Sequence, residues 1–184
     1  MLVGLGNPGP RYFKTRHNAG FWFVDEVADQ HGAKFIWQER FGSWEANFYH
    51  RNEVVHLLKP AQYMNRSGGP VAAVCRYYRI SPERLLVAHD ELDFEPGVVR
   101  LKKDGGHGGH NGLRSVIEHL GSNQFCRLRI GIGRPKQGSV VDYVLGQPTA
   151  EEQAKIRAAI ARAVTLLPQL LDQGVEKTMN LLHG

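Results

Sequence analysis

Only two of the 184 residues are cysteine, Cys75 and Cys126, and neither belongs to a Cys-x-x-Cys pair. That argues against a disulfide scaffold and against a thiolate metal site. Both lie in apolar surroundings, Val71-Ala72-Ala73-Val74-Cys75 and Phe125-Cys126, and read as small core side chains in a reducing compartment. No apolar run approaches the roughly 18 residues that a membrane span needs. Met1-Leu2-Val3 leads straight into glycine with no basic segment before it. These absences predict a soluble, cytoplasmic protein. No Gly-x-Ser-x-Gly elbow occurs, which disfavours a serine nucleophile. No repeat, low-complexity tail or linker divides the chain, so residues 1–184 read as one domain.

What is present is an ordinary globular mix, 42% hydrophobic and 22% charged, with a formal net charge of +5. The positive surplus favours a polyanionic substrate or partner without identifying one. Met1 to Leu5 reads as a strand ending in the turn Gly6-Asn7-Pro8-Gly9-Pro10. Phe21, Val24, Val27 and Ala28 recur at helical spacing up to Gln30, with Gly32 as the stop. Ser43 to Leu58 predicts two strands reversing at Arg51-Asn52. Beyond them come a loop over Met64–Gly69, a helix over Pro70–Tyr78, and strands over Leu85–His89 and Val98–Leu101. A glycine-rich loop, Gly105-Gly106-His107-Gly108-Gly109-His110-Asn111-Gly112, precedes a helix from Leu113 to Leu120 and a strand over Arg127–Gly131. Thr149 and Glu152 form a capping-box pair ahead of a helix with Ile156, Ile160, Val164, Leu167 and Leu171 on one side, kinked or ended at Pro168. Strands alternating with helices predict an α/β fold with a twisted mixed β-sheet and helices on both faces.

In such folds chemistry gathers beyond the carboxyl ends of the strands. Asn7, Asn65 and Asp90 each follow a predicted strand closely, so they have a reason to converge. His17, between the first turn and the first helix, has the side chain best suited to accept a proton near neutral pH. Asp90 closes an apolar strand and is suited to orient an imidazole. Asn7, Asn65 and Asn111 lie in glycine-flanked loops and could donate to an oxyanion or accept from a substrate N–H. Arg100, Lys102, Lys103, Arg127, Arg129, Arg134 and Lys136 surround the glycine-rich loop as a possible phosphate-contacting patch. Three rival readings remain open. Gly4-Leu5-Gly6-Asn7-Pro8-Gly9 matches a dinucleotide-binding pattern, although the residues after it lack the required helix. His89, Asp90, Glu91 and Asp93 could supply a metal-dependent hydrolase, although strand alternation sends His89 away from Asp90. A non-catalytic RNA-binding module would use the cations but leave the Asn/His/Asp set without a purpose.

Five stretches together resemble bacterial peptidyl-tRNA hydrolases: Val3–Gly9 with Thr15-Arg16-His17-Asn18-Ala19-Gly20, Met64-Asn65-Arg66-Ser67-Gly68, His89-Asp90-Glu91-Leu92-Asp93, the glycine-rich loop with Leu113, and Arg127–Gly133. The resemblance implies a monomeric α/β enzyme that cleaves the ester between a peptide and the tRNA 3′ end, so recycling the tRNA, without cofactor or metal. It further implies that His17 is the general base and Asp90 its orienting partner. Asn7, Met64, Asn65 and Asn111 would bind the substrate around the scissile carbonyl, and Tyr12 would lie near the tRNA end. Arg100 and Arg129 would contact tRNA phosphate, and Lys102 and Lys103 of the same cation cluster are expected to join them. Arg100 stands where the family often has lysine, and Asp104 interrupts the usual glycine run.

Overall fold

A computed structural model describes all residues, 1–184. Seven strands form one sheet in the order β2-β3-β4-β1-β5-β7-β6. They are β1 (Leu2–Gly4), β2 (Ile36–Gln38), β3 (Ser43–His50), β4 (Glu53–Pro60), β5 (Leu86–Glu91), β6 (Val99–Lys103) and β7 (Cys126–Gly131). The central strands β4, β1, β5 and β7 run parallel, while β3 and β6 are antiparallel to their inner neighbours. The sheet is therefore mixed, as strand–helix alternation interrupted by the predicted hairpin at Arg51-Asn52 implies.

The helices are α1 (Ala19–Gln30), α2 (Gly68–Tyr78), α3 (Asn111–Leu120), α4 (Val140–Val144), α5 (Ala150–Thr165), α6 (Leu167–Gln173) and α7 (Val175–His183). Alternation along the strands splits the core in two. Leu57, Leu86, Ala88, Leu128 and Ile130 face α1 and α5 through Phe23, Val24, Ile156 and Ile160. Val3, Leu5, Leu58, Val87 and Phe125 face α2 and α3 through Val71, Val74, Leu113 and Val116. Each such fully buried side chain stabilises the fold by about 1.5–3 kcal/mol relative to exposure. Both cysteines are buried and free.

Local signals set most boundaries. Arg51 and Asn52 both adopt positive φ, the geometry of a two-residue hairpin turn. Thr149 and Glu152 form the full capping box. Pro168 falls in the first turn of α6, after a break at Leu166, where its missing N–H costs nothing. Three expectations need correction. The second helix begins at Gly68 and not Pro70, where the Gly68 N–H donates to Ser115 Oγ, and α3 begins at Asn111, where the His110 side chain caps the Leu113 N–H. Strand β2 and helices α4 and α7 have no counterpart in the predicted elements; β2 and α4 are short, whereas α7 places Val175, Met179 and Leu182 on one side at a helical spacing legible in the sequence.

The Gly4/Gly6 pattern has a packing cause. A Cβ on Gly4 would lie 2.2 Å from the Gly20 carbonyl oxygen, and one on Gly20 would lie 2.3 Å from that of Ala88. Glycine at these positions lets α1 lie directly on β1 and β5. Between the glycine turn and α1 come two 3-10 turns, Pro10–Tyr12 and Arg16–Asn18. No α-helix begins within the glycine turn itself, as that motif requires, so the dinucleotide reading fails.

Candidate active site

The close seating of α1 brings its first residues to the carboxyl ends of β1 and β5. His17, in the 3-10 turn just before α1, places Nδ1 2.8 Å from Asp90 Oδ2 and 3.0 Å from Oδ1. Asp90 lies in β5 with its side chain only 2% exposed. A carboxylate accepts, so Nδ1 of His17 carries the proton and Nε2 is left bare.

A second imidazole meets the same carboxylate. His110 Nε2 lies 2.8 Å from Asp90 Oδ1, while its Nδ1 accepts the Leu113 N–H at 3.2 Å as the N-cap of α3. The cap assigns the tautomer: Nδ1 is the acceptor, so Nε2–H donates to Asp90. The sequence alone gives His110 no role beyond membership of the glycine-rich loop. Its place one residue before the helix was the available signal.

Burial alone would raise the Asp90 pKa, but the two histidines outweigh it and hold the carboxyl well below its usual range. For His17 burial favours the neutral ring, yet the charge and hydrogen bond of Asp90 prevail and lift its pKa above 6.5. His89 also lines this cleft, its ring centre 5.0 Å from that of His110, and is buried, its Nδ1 donating to the Asp90 carbonyl oxygen at 2.7 Å. Burial, with His110 and Arg127 nearby, pushes it down to about 3, so it is neutral at physiological pH.

The asparagines do converge on this pair. The side-chain oxygen of Asn7 accepts the Met64 N–H at 2.7 Å, which fixes the amide and leaves its NH2 group without a partner in the protein. Asn18 clamps Asn7 from behind, with Oδ1 accepting the Asn7 N–H and Nδ2 donating to the Asn7 carbonyl. Met64 is buried against Gly112, where any Cβ would strike its sulfur. Asn65 and Asn111 are exposed. Asn7, His17, Met64, Asn65, Asp90, His110 and Asn111 all line one cleft of about 770 Å³.

The remaining predicted residues divide. Lys102 and Arg129 line the cleft, but Arg129 also pairs with Glu91 at 2.7 Å. Arg100 is half-buried next to Arg129 in the β6–β7 register and does not line the cleft. Lys103 belongs to the other side of β6, opposite Cys126, and pairs with Glu176. Strand alternation separates it from Lys102. Arg127, grouped with the surface cations, is 1% exposed and bonded to main-chain carbonyls. Tyr12 stands outside the cleft and packs edge-on against Tyr63, which does line it. One wall is apolar, formed by Val140, Val141, Val144 and Leu145 on and just after α4. Arg16 holds that helix, donating to the Tyr143 carbonyl and lying 4.0 Å from the Tyr143 ring centre.

The metal reading shifts from the predicted set to His17, Asp90 and His110, whose ligand atoms lie within 4.8 Å of one another. A metal on His110 Nε2 would drive its proton to Nδ1, directly against the Leu113 N–H. Capping of α3 and metal ligation therefore oppose each other.

Comparison with known proteins agrees with this geometry. The family model for peptidyl-tRNA hydrolase matches residues 1–184. A peptidyl-tRNA hydrolase of Methylococcus capsulatus is 54% identical over 184 residues, covering 100% of this chain and 98% of the relative. One from Pseudomonas putida is 49% identical, covering 100% and 96%. The crystal structure of peptidyl-tRNA hydrolase from Acinetobacter baumannii superposes with a TM-score of 0.93 at 47% identity, over 98% of this chain and 92% of that one. A peptidyl-tRNA hydrolase crystallised with n-propanol gives a TM-score of 0.94 at 46% identity, with the same coverage. The reading as a binding module without chemistry gives way to these matches. The chain belongs to the peptidyl-tRNA hydrolase family, and its activity is hydrolysis of the ester in peptidyl-tRNA.

Proposed function

We propose that hydrolysis proceeds by direct attack of water, with His17 as general base, Asp90 as its orienting carboxylate, and no metal. The observation that carries this reading is the His17–Asp90 pair, bonded through Nδ1 at the floor of the cleft. The bare Nε2 takes a proton from water as the water oxygen bonds to the ester carbonyl carbon. Asp90 stabilises the imidazolium that results. The carbon–oxygen bond to the tRNA ribose then breaks, and His17 returns its proton to the departing ribose oxygen. The products are the peptide carboxylic acid and tRNA with a free hydroxyl.

Asn7 presents its NH2 to the developing oxyanion, a task suited to a donor whose orientation is already fixed. Asn65 and Asn111 bind the peptide main chain or the attacking water from the rim, and Met64 packs beneath them. Lys102 and Arg129 meet tRNA phosphate, with Arg100 and Tyr12 supporting from outside the cleft. The enzyme acts as a monomer in the cytoplasm on this reading.

N-blocked aminoacyl-tRNA provides the test. General-base catalysis contributes about 10²–10⁴-fold, so His17→Ala should release the blocked amino acid slower by that factor while remaining folded. Turnover near the wild-type rate would remove His17 from the role. Full activity in excess chelator is expected, and its loss would favour a metal at His17, Asp90 and His110.

A further inference from the structure

Arg127 carries a buried charge with no carboxylate partner. Its Nη1 donates to the carbonyls of Asp104 at 2.6 Å and Gly106 at 3.1 Å, and its Nη2 donates to those of Gly105 and Asn123. The guanidinium lies 4.6 Å from the Phe125 ring centre. Three consecutive carbonyls can turn toward one group only in an unusual backbone. Asp104 and Gly105 have φ of 60° and 107°, and the former is uncommon for a residue with a side chain. A planar fork of donors fits this arrangement where a single ammonium would not.

The clamped carbonyls are the root of the glycine-rich loop, and the next turn leads to the catalytic carboxylate. His107 Nδ1 accepts the Gly109 N–H, the His107 carbonyl accepts the His110 N–H, and His110 donates to Asp90. Glycine at 106, 108 and 109 leaves this segment little stiffness of its own. We propose that Arg127 is a positioning residue for the hydrolysis: by gathering the carbonyls of residues 104–106 it fixes the loop so that His110 meets Asp90. This rests on the His17–Asp90 reading above. Arg127 acts here through the loop and not as a phosphate contact.

The test compares kcat and KM on N-blocked aminoacyl-tRNA for Arg127→Ala, with and without millimolar guanidinium. A misplacement of about 1 Å costs on the order of 10²-fold in rate, so kcat should fall by that order with KM little changed. Added guanidinium should restore much of the kcat of Arg127→Ala and none of that of His17→Ala. Unchanged kcat, a loss confined to KM, or a kcat loss that guanidinium leaves untouched would each overturn the proposal. Should the alanine variant fail to fold, Arg127→Lys keeps charge and stem; lowered kcat at constant KM is expected, and wild-type kcat would overturn it. Turnover by His17→Ala removes the base reading by itself, whereas loss at His17 with an intact Arg127→Ala removes only the clamp.

Discussion

Nδ1 of His17 and Oδ2 of Asp90 stand 2.8 Å apart although 73 residues separate them in the chain. The contact ties the start of α1 to the end of β5, and it sets the pH at which the imidazole is available as a base.

Protonated His17 cannot accept a proton, so kcat/KM should fall as pH drops, with a midpoint above 6.5 because Asp90 raises this pKa. In Asp90→Asn the opposing charge is gone while burial remains. The midpoint should then move below 6.5 as the rate itself falls. A pH–rate profile of both proteins decides this, and an unmoved midpoint would refute the coupling.

Stability should depend on pH through the same groups. The raised pKa of His17 means that its contribution is complete below about pH 6.5 and lost as pH rises through the folded value. The lowered pKa of His89 acts in the opposite sense: its contribution is present above 6.5 and lost as pH falls toward 3. Denaturant midpoints measured across that range should therefore be less acid-sensitive in His89→Asn than in the parent, at whatever absolute stability the variant retains.

His110→Ala removes a donor from a buried carboxylate and the cap of α3 together. The cap is worth about 1 kcal/mol and the unmatched acceptor about 1–3 kcal/mol. His110→Asn, whose side chain can still cap, should recover the first part and not the second. Thermal unfolding of the two variants separates the terms, and equal Tm values would contradict the assignment.

Gly20→Ala would place a methyl group 2.3 Å from the Ala88 oxygen and 2.6 Å from the Leu5 oxygen, both main-chain atoms with little room to yield. Overpacking of this kind costs about 1–3 kcal/mol or more. Because α1 carries His17 to the site, activity should fall together with stability in urea titration.

Lys102 lines the cleft and forms no ion pair, whereas Lys103 is paired with Glu176 on the other side of β6. Lys102→Ala should flatten the salt dependence of tRNA binding by about 0.7–0.9 in log–log slope, the share of one phosphate contact. Lys103→Ala should leave the slope unchanged. Binding measured at several salt concentrations distinguishes them.

Much of this protein is legible along the chain because its signals are local. The hairpin at Arg51-Asn52, the capping box at Thr149 and Glu152, and the apolar period of α1 each require only neighbouring residues to act. The convergence of Asn7, Asn65 and Asp90, with His17 after the first turn, could be anticipated because each follows, or closes, the carboxyl end of a strand in an α/β sheet. Tertiary structure alone decided the rest. His110 joins Asp90 only because α3 starts beside β5, and Lys103 leaves the phosphate patch because strand alternation turns it toward α7. Gly4 and Gly6 serve contact with α1, at Gly20 and the Phe21 ring, where the pattern alone suggested a pyrophosphate. Arg127 is a buried clamp and not a surface cation, since only the folded loop brings carbonyls to it. Composition and periodicity act over a few residues, whereas the partner of a buried charge is set by elements distant in the chain.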